Sequence, residues 1–173
     1  MKDEKMTITL IGMPGAGKSM MGIELAKALG YQWIDADKAI EEKVGRSLQN
    51  IINEDGLAAF KKLEEEILHS LALENTVVST GGSAIYYDSA MKNFKAHGKV
   101  VYLYVSAEEI IRRLGDYSQR GIVLAPGKTI LNLYEERTPL YEKYADITVN
   151  CDGRDYATYQ KKLNETMAAL MNP

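Results

Sequence analysis

An apolar run, Thr7-Ile8-Thr9-Leu10-Ile11, gives way to Gly12-Met13-Pro14-Gly15-Ala16-Gly17-Lys18-Ser19, and an amphipathic stretch, Met20–Leu29, follows at once. The spacing G-x-x-x-x-G-K-[ST] between a strand and a helix is the sequence of a phosphate-binding loop, and it commits the chain to a parallel sheet with covering helices. Its physics is local. Gly12, Gly15, Ala16 and Gly17 keep bulk away, so that backbone N–H groups can turn onto the β- and γ-phosphates of a nucleotide. Lys18 adds a cation, the Ser19 hydroxyl is suited to ligate Mg²⁺, and the helix opening near Met20 contributes its positive end.

The rest of the chain fits that architecture. Short β-branched runs recur at Thr7–Gly12, Tyr31–Ile34, Thr76–Thr80, Lys99–Val105 and Ile147–Val149, separated by helical patterns at Met20–Leu29, Asp55–Leu73, Ala107–Leu114 and Arg154–Met171. Such alternation predicts an α/β fold, a five-stranded parallel sheet with helices on both faces. Lys99–Val105 is apolar on both faces, as a strand covered from each side should be. With 173 residues, 46% of them hydrophobic, the chain can fill one core and is short for two, so a single domain over 1–173 is expected. Gly115, Gly121, Pro126 and Gly127 interrupt helix between Gly115 and Lys128, which reads as a mobile loop.

Charge and cysteine usage narrow the partners. The balance of 21 basic and 24 acidic residues, net −3, gives no drive toward a polyanion, so nucleic acid is not an expected partner. Cys151 stands alone, excluding an internal disulfide, and closes the run Ile147–Val149, where a buried thiol is expected rather than a nucleophile. His69 and His97 have no neighbours at metal-ligand spacing, so a zinc site is not expected. No apolar run approaches the ~18 residues of a membrane span, and a cytoplasmic location is expected.

Two further groups sit at strand ends, and two candidate arginines lie elsewhere in the chain. Asp35-Ala36-Asp37 follows the second strand, at the carboxyl edge where the phosphate loop opens and where ligands bind in open α/β sheets. An i, i+2 pair can supply one acid for a metal and one for an acceptor hydroxyl; alternatively, one of the two caps a helix starting at Lys38. The third strand exits through Ser79-Thr80-Gly81-Gly82-Ser83, whose glycines let backbone approach a ligand, or simply make a tight turn. This strand lacks a terminal aspartate, so the metal-side carboxylate falls to Asp35. Arg120, in the loop, suits a cation folding over a transferring phosphoryl group. Arg137 precedes Pro139, which should limit its helix, and its planar fork suits an acceptor carboxylate.

In order and spacing, the phosphate loop, Asp35-Ala36-Asp37, Gly45-Arg46-Ser47, Phe60-Lys61-Lys62-Leu63-Glu64-Glu65, Ser79-Thr80-Gly81-Gly82 and Arg137-Thr138-Pro139-Leu140-Tyr141 resemble the shikimate kinases, small-molecule kinases of the nucleoside-monophosphate-kinase-like group. The resemblance covers nearly the whole chain. It implies ATP and Mg²⁺ as cofactors and a small carboxylate-bearing alcohol, shikimate first, as acceptor. Lys18 and Ser19 would hold phosphates and Mg²⁺, with Asp35 on the metal through water. Asp37 would hold and polarise the acceptor hydroxyl, Gly81 and Gly82 would approach the acceptor, and Arg137 and Lys61 would meet its carboxylate. Arg120 would be the lid arginine, while Arg113 and Arg154 would flank adenine. A lid at about 115–128, an acceptor-binding segment at about 36–73 and a monomeric state are implied too.

Three positions depart from the family pattern. Lys61 stands where an arginine is usual, Ser83 where a third glycine is usual, and Gly121 where a proline follows the lid arginine. Lysine supplies charge without the bidentate fork, and glycine loosens the turn. A paralogous kinase for another hydroxylated metabolite is the alternative these raise. An ATP-binding module without catalysis is the other, and the retention of Asp35, Asp37 and Arg120 speaks against it.

Overall fold

The computed structural model of the chain describes residues 5–115, 124–153 and 155–171. Five strands, β1 Thr7–Ile11, β2 Gln32–Asp35, β3 Thr76–Ser79, β4 Gly98–Tyr104 and β5 Ile147–Asn150, pair throughout in parallel in the order β2-β3-β1-β4-β5. Each lies within a residue of the run read from the sequence. β1 and β3 are buried at every position, which is why they carry no polar alternation.

The helices are α1 Lys18–Leu29, α2 Ala36–Val44, α3 Leu48–Asp55, α4 Leu57–Ser70, α5 Asp88–His97, α6 Ala107–Leu114, α7 Ile130–Tyr144 and α8 Tyr156–Met171. α1 packs on β2, β3 and α8, whereas α5 packs on β1 and β4 and touches α7, so the sheet is covered on both faces. Because the strands are parallel, Ile11, Asp35, Ser79, Tyr104 and Asn150 all end on one edge, with Asp35 opposite Ser79 and Ser79 opposite Leu10 in the ladder. That edge collects the phosphate loop, Asp35-Ala36-Asp37 and the Ser79–Ser83 exit of β3.

Three expectations are corrected. The helix expected over Asp55–Leu73 is α4, Leu57–Ser70: Asp55 instead closes α3, a short helix that the sequence pattern does not mark, and Gly56 turns the chain between them at φ 89°. Arg46 fixes this corner by pairing with Asp55 (2.5 Å) and Glu54 (2.8 Å). The helix expected to start at Lys38 starts at Ala36, with Asp35 as its cap. Pro139 does not limit a helix but sits inside α7, on its exposed side, where the carbonyl it leaves without a donor can reach water. Thr138 Oγ1 adds a bond to the Tyr134 carbonyl there, at 2.7 Å.

The first turn of α1 is tied to the sheet through Ser79. Its hydroxyl donates to the Lys18 carbonyl (2.6 Å) and accepts from Trp33 Nε1 (3.0 Å). α1 can come this close only because position 22 is glycine: a Cβ there would collide with Ser79 Oγ and lie 2.8 Å from Trp33 Nε1. Gly22→Ala should therefore destabilise the protein by about 1–3 kcal/mol, the usual cost of overpacking, despite the better helix propensity of alanine. Thermal unfolding checks this; a melting temperature equal to or above that of the parent protein would show that the contact is slack.

Candidate active site

The phosphate loop leaves β1 and enters α1 through Gly17, whose left-handed conformation (φ 99°, ψ 21°) is one that a side chain would strain. The N–H groups of Lys18, Ser19 and Met20 lie in the first turn of α1, where none has an intrahelical acceptor, and they form the donor nest that the sequence predicts. Ser19 and Met20 are exposed. Lys18 Nζ turns back onto its own loop and donates to the carbonyls of Gly12 (2.6 Å) and Met13 (3.0 Å).

Around that ammonium the structure gathers Asp35, Asp37 and Arg137. Burial, and then the neighbouring Arg137 guanidinium, lower the Lys18 pKa to about 8, with Asp37 and Asp35 pulling the other way. A bound triphosphate favours the charged ammonium and raises that value. Between about pH 8 and the bound value, binding must therefore take up a proton, and affinity must fall as pH rises. Calorimetric titration with ATP near pH 8.5, in buffers of different ionisation enthalpy, is expected to show this uptake; enthalpies independent of buffer would contradict it.

Both readings of the aspartate pair have a structural basis. Asp35 Oδ1 accepts from the Lys38 N–H at 3.1 Å and so caps α2, leaving Oδ2 at the sheet edge. Asp37, one turn into the cleft, has its carboxyl pKa raised, first by burial and next by Asp35. Its Oδ1 lies where it would be 2.5 Å from a Cβ on Gly81. Gly82 is equally constrained, since a Cβ there would meet Arg137 Nη1 and approach Pro14 of the phosphate loop at 3.7 Å. Both glycines are thus required by close approach, and Arg137 lies directly over the backbone of Gly82.

One cleft is lined by Asp37, Glu64, Gly81 and Ser83, with Ile40 and Leu68 as its apolar wall. Glu64 was not singled out from the sequence, although a signal was there: with Phe60, Ile67 and Leu68 it occupies the buried face of α4, where a carboxylate is out of place. Burial raises its pKa, and Ser83 Oγ opposes this by donating to Oε1 at 2.9 Å. Ser83 thus serves as the partner of a buried acid.

The remaining expected residues are placed unevenly. Lys61 is exposed on α4 and has no hydrogen bond or ion pair among the described residues. Arg113, on α6, is almost buried and donates to the carbonyls of Gly15 (3.2 Å), Cys151 (2.6 Å) and Gly153 (2.9 Å), with its guanidinium 5.3 Å from the Tyr156 ring centre. It links the phosphate loop to the exit of β5. Arg120, Arg154 and most of the 115–128 loop, including Gly121, lie outside the described residues. No group of three or more His, Cys, Asp or Glu gathers into a metal cage among the described residues.

A nucleotide-phosphate loop, paired aspartates two strands away across β3 and an arginine held over a glycine backbone, at the carboxyl edge of a 2-3-1-4-5 parallel sheet, define a P-loop phosphotransferase acting on a small acceptor. The profile of one family, shikimate kinase, matches residues 14–168. A shikimate kinase from Mycobacterium avium is 39% identical over 149 residues, 84% of each chain, and one from Xanthomonas campestris is 38% identical over 165 residues, 94% of this chain and 92% of that one. The solved structure of a shikimate kinase from Acinetobacter baumannii in complex with shikimate superposes with a TM-score of 0.87 at 28% identity, covering 99% of this chain and 97% of that one. The chain belongs to the shikimate kinase family.

Proposed function

We propose that the protein transfers the terminal phosphoryl group of ATP to a hydroxyl of shikimate, forming shikimate 3-phosphate in aromatic amino-acid biosynthesis. The observation that carries this reading is the convergence, in a chain of this family, of the Lys18 ammonium, the Asp37 carboxyl and the Arg137 guanidinium at one cleft beside Gly82.

In this reading Gly12, Gly15, Ala16, Gly17, Lys18, Ser19 and Met20 hold the ATP phosphates through backbone N–H groups and the lysine. Ser19 and, through water, Oδ2 of Asp35 would hold Mg²⁺, a cation that usually retains several water and phosphate-oxygen ligands. When bound, it neutralises charge between the β- and γ-phosphates. Asp37 receives the acceptor hydroxyl and takes its proton as the oxygen attacks in line. Arg137 and, as a point charge, Lys61 meet the acceptor carboxylate, while Gly81 and Gly82 allow the ring to lie against backbone. Arg113 and Arg154 would flank adenine, and Arg120 would stabilise the charge of the transferring group.

The chain works as a single kinase domain, its lid at about 115–128 and its acceptor segment at about 36–73, as a cytoplasmic monomer without nucleic-acid or membrane partners. In keeping with this, one sheet organises the fold, the net charge is −3, and no helix among the described residues is long and apolar enough to cross a membrane. ADP release with ATP, Mg²⁺ and shikimate, run beside a panel of hydroxy acids and polyols, tests the reading. Shikimate should give the highest kcat/KM; ATP binding without shikimate turnover would overturn the assignment.

A further inference from the structure

Arg137 does not stand over Gly82 unaided. Its Nε–H donates to Tyr86 Oη at 3.3 Å, and its guanidinium carbon lies 5.5 Å from the centre of the Tyr86 ring. Tyr86 Oη in turn donates to Glu136 Oε2 at 2.6 Å, so the carboxylate beside Arg137 in α7 anchors the ring that holds it. Tyr86 ends the 3₁₀ turn Ala84–Tyr86, which continues directly from Gly81-Gly82-Ser83 and packs against α7. One short segment therefore presents both the backbone of Gly82 and the aromatic face beneath the arginine that lies over it.

We propose that Tyr86 is a positioning residue for acceptor binding: with Glu136 it fixes the Arg137 guanidinium over Gly82, so that its fork is already aligned for a carboxylate. The proposal rests on the reading of Arg137 given above. An arginine side chain has many rotamers, and one that must be ordered on binding loses affinity that a pre-aligned one keeps. The face of an aromatic ring is where a guanidinium is drawn by the ring's quadrupole, and the Nε bond to Oη leaves the two outer nitrogens for a ligand. Lys61, exposed and without a described partner, offers no comparable alignment, so recognition of a planar carboxylate concentrates on Arg137. Tyr86 is itself 45% exposed, and replacing it leaves the core untouched.

The test is steady-state kinetics on Tyr86→Phe, Tyr86→Leu, Arg137→Ala and the double variant of Tyr86→Leu with Arg137→Ala. Phenylalanine keeps the ring and loses the hydroxyl; leucine loses both. The KM for shikimate should rise about threefold in Tyr86→Phe and about tenfold in Tyr86→Leu, with kcat and the KM for ATP within about twofold of the parent protein. In the Arg137→Ala background, Tyr86→Leu should add nothing, because there is no guanidinium left to align. A shikimate KM unchanged in Tyr86→Leu, an equal rise in the KM for ATP, or an undiminished effect in the double variant would overturn the positioning role. If Arg137→Ala itself leaves the shikimate KM unchanged, it is the carboxylate reading of Arg137 that fails, and the positioning role goes with it.

Discussion

Replacing Asp37 by asparagine is expected to lower kcat by about 10²–10⁴-fold, the range for losing a positioned general base, while ATP binding changes little. Asparagine keeps the shape and one acceptor oxygen but cannot take a proton from the attacking hydroxyl. Because burial and Asp35 raise the Asp37 pKa, the parent protein should also lose kcat/KM for shikimate as pH falls through a value above the usual carboxylate range. That acid limb should vanish in the variant. The sign of the stability change separates chemistry from damage. A carboxyl whose folded pKa is raised binds more protons folded than unfolded, so stability falls as pH rises through that window, and at neutral pH the ionised group costs stability. Asp37→Asn removes the cost and should melt no lower than the parent. A slow variant that melts lower would place Asp37 in the scaffold instead.

Arg137→Ala is the second large effect. Losing a charge-assisted contact to a carboxylate costs about 1.5–3 kcal/mol, which is about a 10- to 150-fold rise in the KM for shikimate. A separate signature follows from its neighbour. The Arg137 guanidinium is one of the groups that lower the Lys18 pKa, second only to burial, so its removal should move the pH at which ATP binding weakens upward from about 8. Parallel titrations of nucleotide affinity against pH read this shift. A shikimate KM within twofold of the parent would remove Arg137 from the acceptor site.

The sheet was legible because its signal is dense: β-branched runs buried on both faces leave few alternatives, and each strand lies within a residue of its run. The helices at the acceptor end were not. α2 and α3 span nine and eight residues and bury few side chains, Ala36 and Ile40 in one and Ile51 in the other, too few to establish a helical period. α7 was read only in part because Pro139 is an expected breaker, and nothing in its neighbours announces that it faces solvent. At the candidate site, the residues proposed to act through backbone or glycine spacing were visible, from Gly12 to Ser19 and at Gly81-Gly82. Glu64, Tyr86 and the Trp33–Ser79–Lys18 connection join residues from 19 to 61 positions apart, and the geometry that joins them exists only in the folded chain.

Cys151 gives the experimenter a silent background. It is fully buried, its Sγ 3.8 Å from Met21 Sδ and 3.6 Å from the Val149 carbonyl, and burial pushes its thiol pKa up to about 11. At pH 7 about one thiol in ten thousand is then ionised, and the thiolate is the form that alkylating dyes capture. With one cysteine in the sequence, a reporter introduced by Lys128→Cys, at an exposed position, can be labelled without first removing the native residue. Fluorescence from that reporter, read with and without ATP, would test whether the surroundings of position 128 change on binding, in a protein whose core still carries its own sulfur contacts.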